Sequence, residues 1–246
     1  MWKKNGNSML NTIETITSIV NKYQRHDRST DTRYDVVLNC DCMDMMKSLP
    51  ERSIDIIIAD PPYGIKADEN HNNLSGKKGF NKQSGTYKKY HNTNWDENIP
   101  HKSYFTELQR ISQNQIIWGG NYFHKIELEG VIIWNKGNSG KFKEGELAKT
   151  NINTFKIFKY SRADAYINDC DMKIHPTQKP IALYRWLLQN YAKPGDKIID
   201  THSGSGSCAI ACHLEKFEFL AIEKDEDYYK ASVKRLEEIR SQGVLF

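Results

Sequence analysis

The chain has 246 residues, enough for one large α/β domain with inserts. Its formal charge of +4 is mild, so where the charges fall carries more than their sum. No apolar run approaches a membrane span, the first ten residues lack a signal-peptide core, and the five cysteines are odd in number and form no C-x-x-C pair. Together these argue against a membrane protein, a secreted one or a disulfide scaffold, and predict a reducing, cytoplasmic setting.

Residues 1–33 open with apolar positions at Met9, Ile13, Ile16, Ile19, Val20 and Tyr23, the spacing of one helical face. They read as an N-terminal helical extension, a packing arm or a dimer contact, joined by a polar connector over 25–33. Residues 34–38 read as a strand, and 42–48 as a short helix stopped at Leu49-Pro50. The run 54–59, IDIIIA, is apolar and rich in isoleucine, which predicts a fully buried strand parallel to the first.

That strand ends abruptly at Asp60-Pro61-Pro62-Tyr63. Two prolines cannot continue a ladder. A carboxylate and a tyrosine therefore sit at the carboxyl end of a central strand, where open α/β sheets bind ligands. The set suits chemistry on the amino group of a nucleic-acid base. The Asp60 carboxylate and the Pro61 carbonyl can accept the two amine protons, and Tyr63 offers a flat face for an unstacked base.

Residues 65–98 are rich in Asn, Lys and Gly, with lysines outweighing acids. They predict a mobile basic loop that closes on phosphates. A helix over 99–112 follows. Then come a strand over 115–118 ending in Gly119-Gly120-Asn121, a short helix over 122–128 and a strand over 131–134. Trp118 and Trp134 read as core. Residues 136–173 interleave lysines with Phe142, Phe155, Phe158, Tyr160 and Tyr166. That mixture suits either nucleic-acid contact or a β-ribbon packed on the domain.

The segment HPTQKP at 175–180 leads into a helix, followed by a strand over 197–200 and the small-residue loop THSGSGS at 201–207. A helix, a strand over 219–223 ending in Glu223 and a last helix over 225–240 complete the pattern. Strand, glycine loop, helix, strand and acid is a nucleotide-binding arrangement. Gly204 and Gly206 permit close backbone approach, and Glu223 can accept from ribose hydroxyls. Asp200 and Lys179 match the ammonium and carboxylate of an amino-acid tail. No second mononucleotide half follows, so this unit must pair with the one near residue 54. That predicts a circularly permuted order, with strand 197–200 beside strand 54–59 and the two loops flanking one crevice. Cys208, Cys212 and His213 share a neighbourhood, but four spaced metal ligands are absent, so no metal site is expected.

DPPYG at 60–64, HPTQKP at 175–180 and the G-x-G loop at 203–207, in that order, resemble the β-group of S-adenosylmethionine-dependent DNA amino-methyltransferases. The resemblance spans residues 34–240. It implies a circularly permuted Rossmann-like fold: a mostly parallel, seven-stranded sheet with helices on both faces, over residues 34–246. It implies methyl transfer to a flipped adenine N6 in DNA, the aspartate form of the motif being usual for adenine and a serine form for cytosine N4. Asp60, Pro61, Pro62 and Tyr63 match the catalytic motif. Asp41, Asp60, Thr177, Lys179, Asp200, His202, Ser203, Gly204, Gly206 and Glu223 match positions that hold the cofactor. Residues 136–173 stand where a target-recognition region is expected, and a homodimer or a cognate restriction endonuclease are the expected partners. Cytosine N4 methylation of DNA, RNA or protein methylation, or a weakly active DNA-binding decoy, are the rivals. One departure stands out: the family's loop usually reads D-P-F-x-G-x-G, and Thr201 and His202 replace its proline and phenylalanine.

Overall fold

The computed structural model describes residues 35–67, 96–123, 126–137, 144–161, 164 and 173–242. The expected N-terminal helix and most of the basic loop lie outside them.

In chain order the elements are β1 (Asp35–Asn39), α1 (Cys42–Ser48), β2 (Ile54–Ala59), α2 (Lys102–Ile111), β3 (Ser112–Trp118), β4 (Gly130–Asn135), β5 (Gly145–Thr150) and β6 (Phe155–Lys159). They continue with α3 (Ile181–Tyr191), β7 (Lys197–Asp200), α4 (Ser207–Leu214), β8 (Glu218–Glu223) and α5 (Glu226–Gln242). The strands form one sheet in the order β1-β8-β7-β2-β3-β5-β4-β6. Only β5 runs against its neighbours β3 and β4; the other pairings are parallel.

The permuted order is as expected. β7 lies beside β2, with Ile198 opposite Ile56 and Ile199 opposite Ile57. The sheet has eight strands, however, not seven. The segment set apart as an insert at 136–173 gives two strands, β5 and β6, to the main sheet. The expected helix over 122–128 is also absent among the described residues. The Tyr122 amide donates to the Gly119 carbonyl at 2.8 Å and closes a turn, and Phe123 and Leu128 turn into the core.

Alternation along β2 builds two cores. Ile56 and Ile58 face α3, α4 and α5, packing with Leu183, Leu187, Ile210 and Leu236. Ile57 and Ala59 face α1 and α2, packing with Met45, Met46, Leu108 and Ile111. A strand buried on both faces must be apolar throughout, which is why IDIIIA carries no clean polar alternation. Trp118 and Trp134 are both buried, as expected of core residues. No helix among the described residues is long and apolar enough to cross a membrane.

Candidate active site

Parallel strands end on one edge of the sheet, so Asn39, Ala59, Trp118, Asp200 and Glu223 deliver their following loops to the same side. A cavity of about 560 Å³ opens there. Asp41, Asp60, Pro62, Thr177, Lys179, His202, Ser203, Gly204 and Glu223 line it. The corner after β2 and the glycine loop after β7 thus share one cleft. Pro61, Tyr63, Asp200 and Gly206 do not line it.

The corner is clamped from below. Asp96, almost fully buried, accepts from the amides of Tyr63 at 2.5 Å, Gly64 at 3.0 Å and Ala67 at 2.8 Å. The Lys66 amide donates to the Asp96 carbonyl at 3.0 Å. The two ends of the expected basic loop therefore meet at its root. Asp60 has both oxygens engaged. Oδ1 accepts from the Tyr63 hydroxyl at 2.5 Å, and Oδ2 from Lys179 Nζ at 2.5 Å. Burial raises the Asp60 carboxyl above its usual range, while Lys179 acts to lower it. Tyr63 does not offer its ring to the cavity. It stacks on Tyr122, with centroids 5.0 Å apart and planes 12° from parallel.

Lys179 is 3 % exposed, and its ammonium points away from solvent. Besides Asp60 it reaches Glu146 Oε2 at 3.0 Å and the Tyr63 hydroxyl at 3.2 Å. Glu146 pairs in turn with Lys136. Burial opposes ionisation of Glu146, but the two lysines hold it down at about 2. Sequence reasoning missed both Glu146 and Lys136. Each is a single charge in a polar segment, and nothing local signals its partner.

The glycine loop is held from three sides. The Ser203 amide donates to the Ile222 carbonyl at 2.8 Å, and the Gly204 amide to Glu223 Oε2 at 2.7 Å. Glu223 Oε1 accepts from the Asp225 amide at 2.8 Å. Arg235 of α5, also missed, donates to the Ser205 carbonyl at 2.7 Å. Gly206 has φ +76 and a Cβ there would meet Ser232 at 3.0 Å, so this glycine serves the turn. Asp200 stands behind the loop and accepts from the His202 amide at 3.1 Å. Burial pushes its carboxyl up to about 8.

The two departures at 201 and 202 have a partner. The Tyr104 hydroxyl of α2 lies 2.6 Å from Thr201 Oγ1 and 3.3 Å from His202 Nδ1. The rings of Tyr104 and His202 meet edge to face at 5.4 Å. Burial pushes the His202 imidazole down to about 4, so at neutral pH it is an uncharged aromatic ring. On the far wall His175, lowered to about 3 by burial, packs on Tyr228 and lies near the backbone of Gly204. Asp41 caps α1 through the Met43 amide at 2.8 Å and pairs with Lys224 at 3.0 Å. No group of three or more potential metal ligands occurs among the described residues.

The cavity suits a nucleoside carrying an amino-acid tail. Ser203 Oγ is buried at its wall without a hydrogen-bond partner among the described residues, a cost unless a ligand supplies one. Carboxylates at 41, 60 and 223 spread acceptors along the cleft.

A permuted doubly wound sheet with its cleft at the strands' carboxyl ends is the circularly permuted Rossmann-like methyltransferase fold. Two solved structures share the fold. The M1.HpyAVI–SAM complex has a TM-score of 0.51 and 18% identity, covering 81% of this chain and 98% of that one. The PvuII DNA methyltransferase, cytosine-N4-specific, has a TM-score of 0.54 and 14% identity, covering 86% and 92%. A DNA methylase family model of the N6/N4 type matches residues 117–234. Curated relatives include the Type II methyltransferase M2.MboI of Moraxella bovis, 26% identical over 80% of this chain and 86% of its own length. Another is M.HinfI of Haemophilus influenzae, 23% identical over 83% and 68%. The chain is thus similar to DNA methyltransferases of the N6/N4 type along most of its length, and the family's model covers residues 117–234.

Proposed function

We propose that this protein methylates the N6 amine of adenine in DNA. The observation that carries the reading is Asp60: a carboxylate at the carboxyl end of a central strand, sharing one cleft with the glycine loop. An aspartate at the head of this motif is the usual adenine form in the family that the chain resembles.

When bound, S-adenosylmethionine supplies an electrophilic methyl on sulfur. The protein's own residues position the acceptor. Asp60 and the Pro61 carbonyl accept the two amine protons, favouring a tetrahedral nitrogen with a localised lone pair. The carboxylate stabilises the positive charge that grows on that nitrogen as the N–C bond forms and the S–C pair returns to sulfur. The surplus proton then leaves to water. Holding the reacting atoms in near-attack geometry supplies much of the rate. Glu223 suits ribose hydroxyls, Asp41 and the backbone near Cys42 suit the adenine end, and Thr177, Ser203 and Asp200 suit the methionine end.

The segments around 65–98 and 136–173 suit DNA contact, and cytoplasmic action, a homodimer and a partner endonuclease fit this reading. The test is transfer of labelled methyl to DNA, RNA and protein, followed by nucleoside digestion and mass spectrometry. N6-methyladenine is expected. N4-methylcytosine would replace the adenine assignment, label in RNA or protein would replace the substrate class, and cofactor binding without transfer would indicate a decoy.

A further inference from the structure

Five side chains from four parts of the chain form one polar row beside the cleft: Lys136, Glu146, Lys179, Asp60 and Tyr63. Lys136 follows β4, Glu146 lies on β5 opposite Trp134, Lys179 precedes α3, and Asp60 and Tyr63 follow β2. Two cations face two carboxylates, so the row buries no net charge. From the geometry we infer that Glu146 is a positioning residue: a second carboxylate that receives Lys179 when Asp60 turns to the substrate amine. The inference rests on the function proposed above.

The argument begins with occupancy. Both oxygens of Asp60 are taken, one by Tyr63 and one by Lys179. An incoming amine must displace at least one. If Lys179 lets go, its ammonium, buried beneath the rings of Trp118 and Tyr63, needs another anion at once. A lone buried ammonium is strongly disfavoured. Glu146 Oε2 already stands 3.0 Å away. It is buried and makes no aligned hydrogen bond, so it has acceptor capacity in reserve. Lys136 keeps Glu146 ionised from the other side. Lys179 can therefore shift its weight from one carboxylate to the other without crossing solvent and without losing its charge.

The test compares Glu146→Gln, Glu146→Asp and Lys136→Met/Glu146→Gln with the wild type. The double variant removes one charge of each sign and guards against failure to fold. The titratable groups that act on Asp60 or feel its charge are Lys179, Glu146, Tyr63, Tyr104, Tyr184 and Asp200. Without Glu146, Lys179 falls back on Asp60 alone. The single-turnover rate should drop on the order of tenfold to a hundredfold, while calorimetric affinity for S-adenosylmethionine stays unchanged. The acid limb of the pH–rate profile should move to lower pH, because a like charge beside Asp60 has gone. Glu146→Asp should recover part of the rate. Independently of turnover, carboxyl carbon resonances should show Asp60 ionising at lower pH in Glu146→Gln. Wild-type rate and an unmoved carboxyl titration in the folded variants would overturn the inference. A wild-type protein that methylates no DNA would overturn the functional reading instead, and the carboxyl titration would still decide whether Glu146 and Asp60 are coupled.

Discussion

A Cβ built on Gly119 would stand 2.2 Å from Cε1 of Tyr63, so the glycine and the tyrosine ring claim one volume. Gly119 also has φ +71, a conformation that side chains rarely adopt. Gly119→Ala should therefore push Tyr63 off Tyr122 and away from Asp60. The expected cost is about 2 kcal/mol of stability and on the order of tenfold in single-turnover rate. Denaturant melts and rapid-quench assays measure the two. Tyr63→Phe keeps the ring and frees one Asp60 oxygen, and it should retain most activity; a rate near zero would show that the hydroxyl itself is required.

Asp96 holds three backbone amides of the corner with one carboxylate. Asp96→Ala leaves those amides without their acceptor, and a loss of about 3 kcal/mol is expected. The urea midpoint should fall with an unchanged slope. Asp96→Asn keeps one acceptor oxygen and should lose less. Equal midpoints for alanine and wild type would show that the corner holds itself.

Asp200 makes stability and cofactor affinity pH-dependent in opposite directions. Its carboxyl keeps its proton to about 8 in the folded chain, whereas the unfolded chain releases it near the ordinary aspartate value of 3.8. The unfolded state therefore binds fewer protons between these values, and this contribution to stability is lost as pH rises through the window. Asp200→Asn should raise the melting temperature more at pH 8 than at pH 4. A cationic ligand in the cleft acts on Asp200 through the glycine loop in front of it and lowers its pKa, so binding S-adenosylmethionine at pH 6–7 should release a proton and tighten as pH rises. Calorimetry in buffers of differing ionisation enthalpy reads that proton directly.

His202 is neutral at working pH and meets Tyr104 edge to face. His202→Phe should change cofactor affinity by less than about threefold, because it keeps an apolar ring at that contact. His202→Ala removes the ring and should weaken binding by about tenfold. Equal losses in both variants would mean that the ring nitrogens bind the cofactor.

The centre of the fold was legible in the sequence because its strands announce both themselves and their ends. IDIIIA stops at a Pro-Pro pair, KIID at a glycine loop, and FLAIE at an acid, so the elements and the cleft between them could be placed. What escaped reading was whatever depends on distant partners. Glu146, Asp96, Arg235 and Tyr104 are single polar residues without a local pattern, and each acts on a group about thirty or more residues away or across the sheet. Strand β6 stayed one of two open readings for a different reason. At the sheet's edge, FKIFK leaves Phe155 and Ile157 exposed beside lysines, which resembles a nucleic-acid surface as much as a strand.

Because β7 and β8 stand between β1 and β2, the nascent chain cannot finish its sheet in the order in which it is made. While the ribosome is still adding residue 196, β2 has β3 on one side and a bare row of amides and carbonyls on the other. β1 has no strand beside it until β8 is synthesised. An isoleucine-rich edge waiting this way invites aggregation. Separate polypeptides divided between Tyr160 and Lys173 should seek each other out, since each carries half of the missing interface.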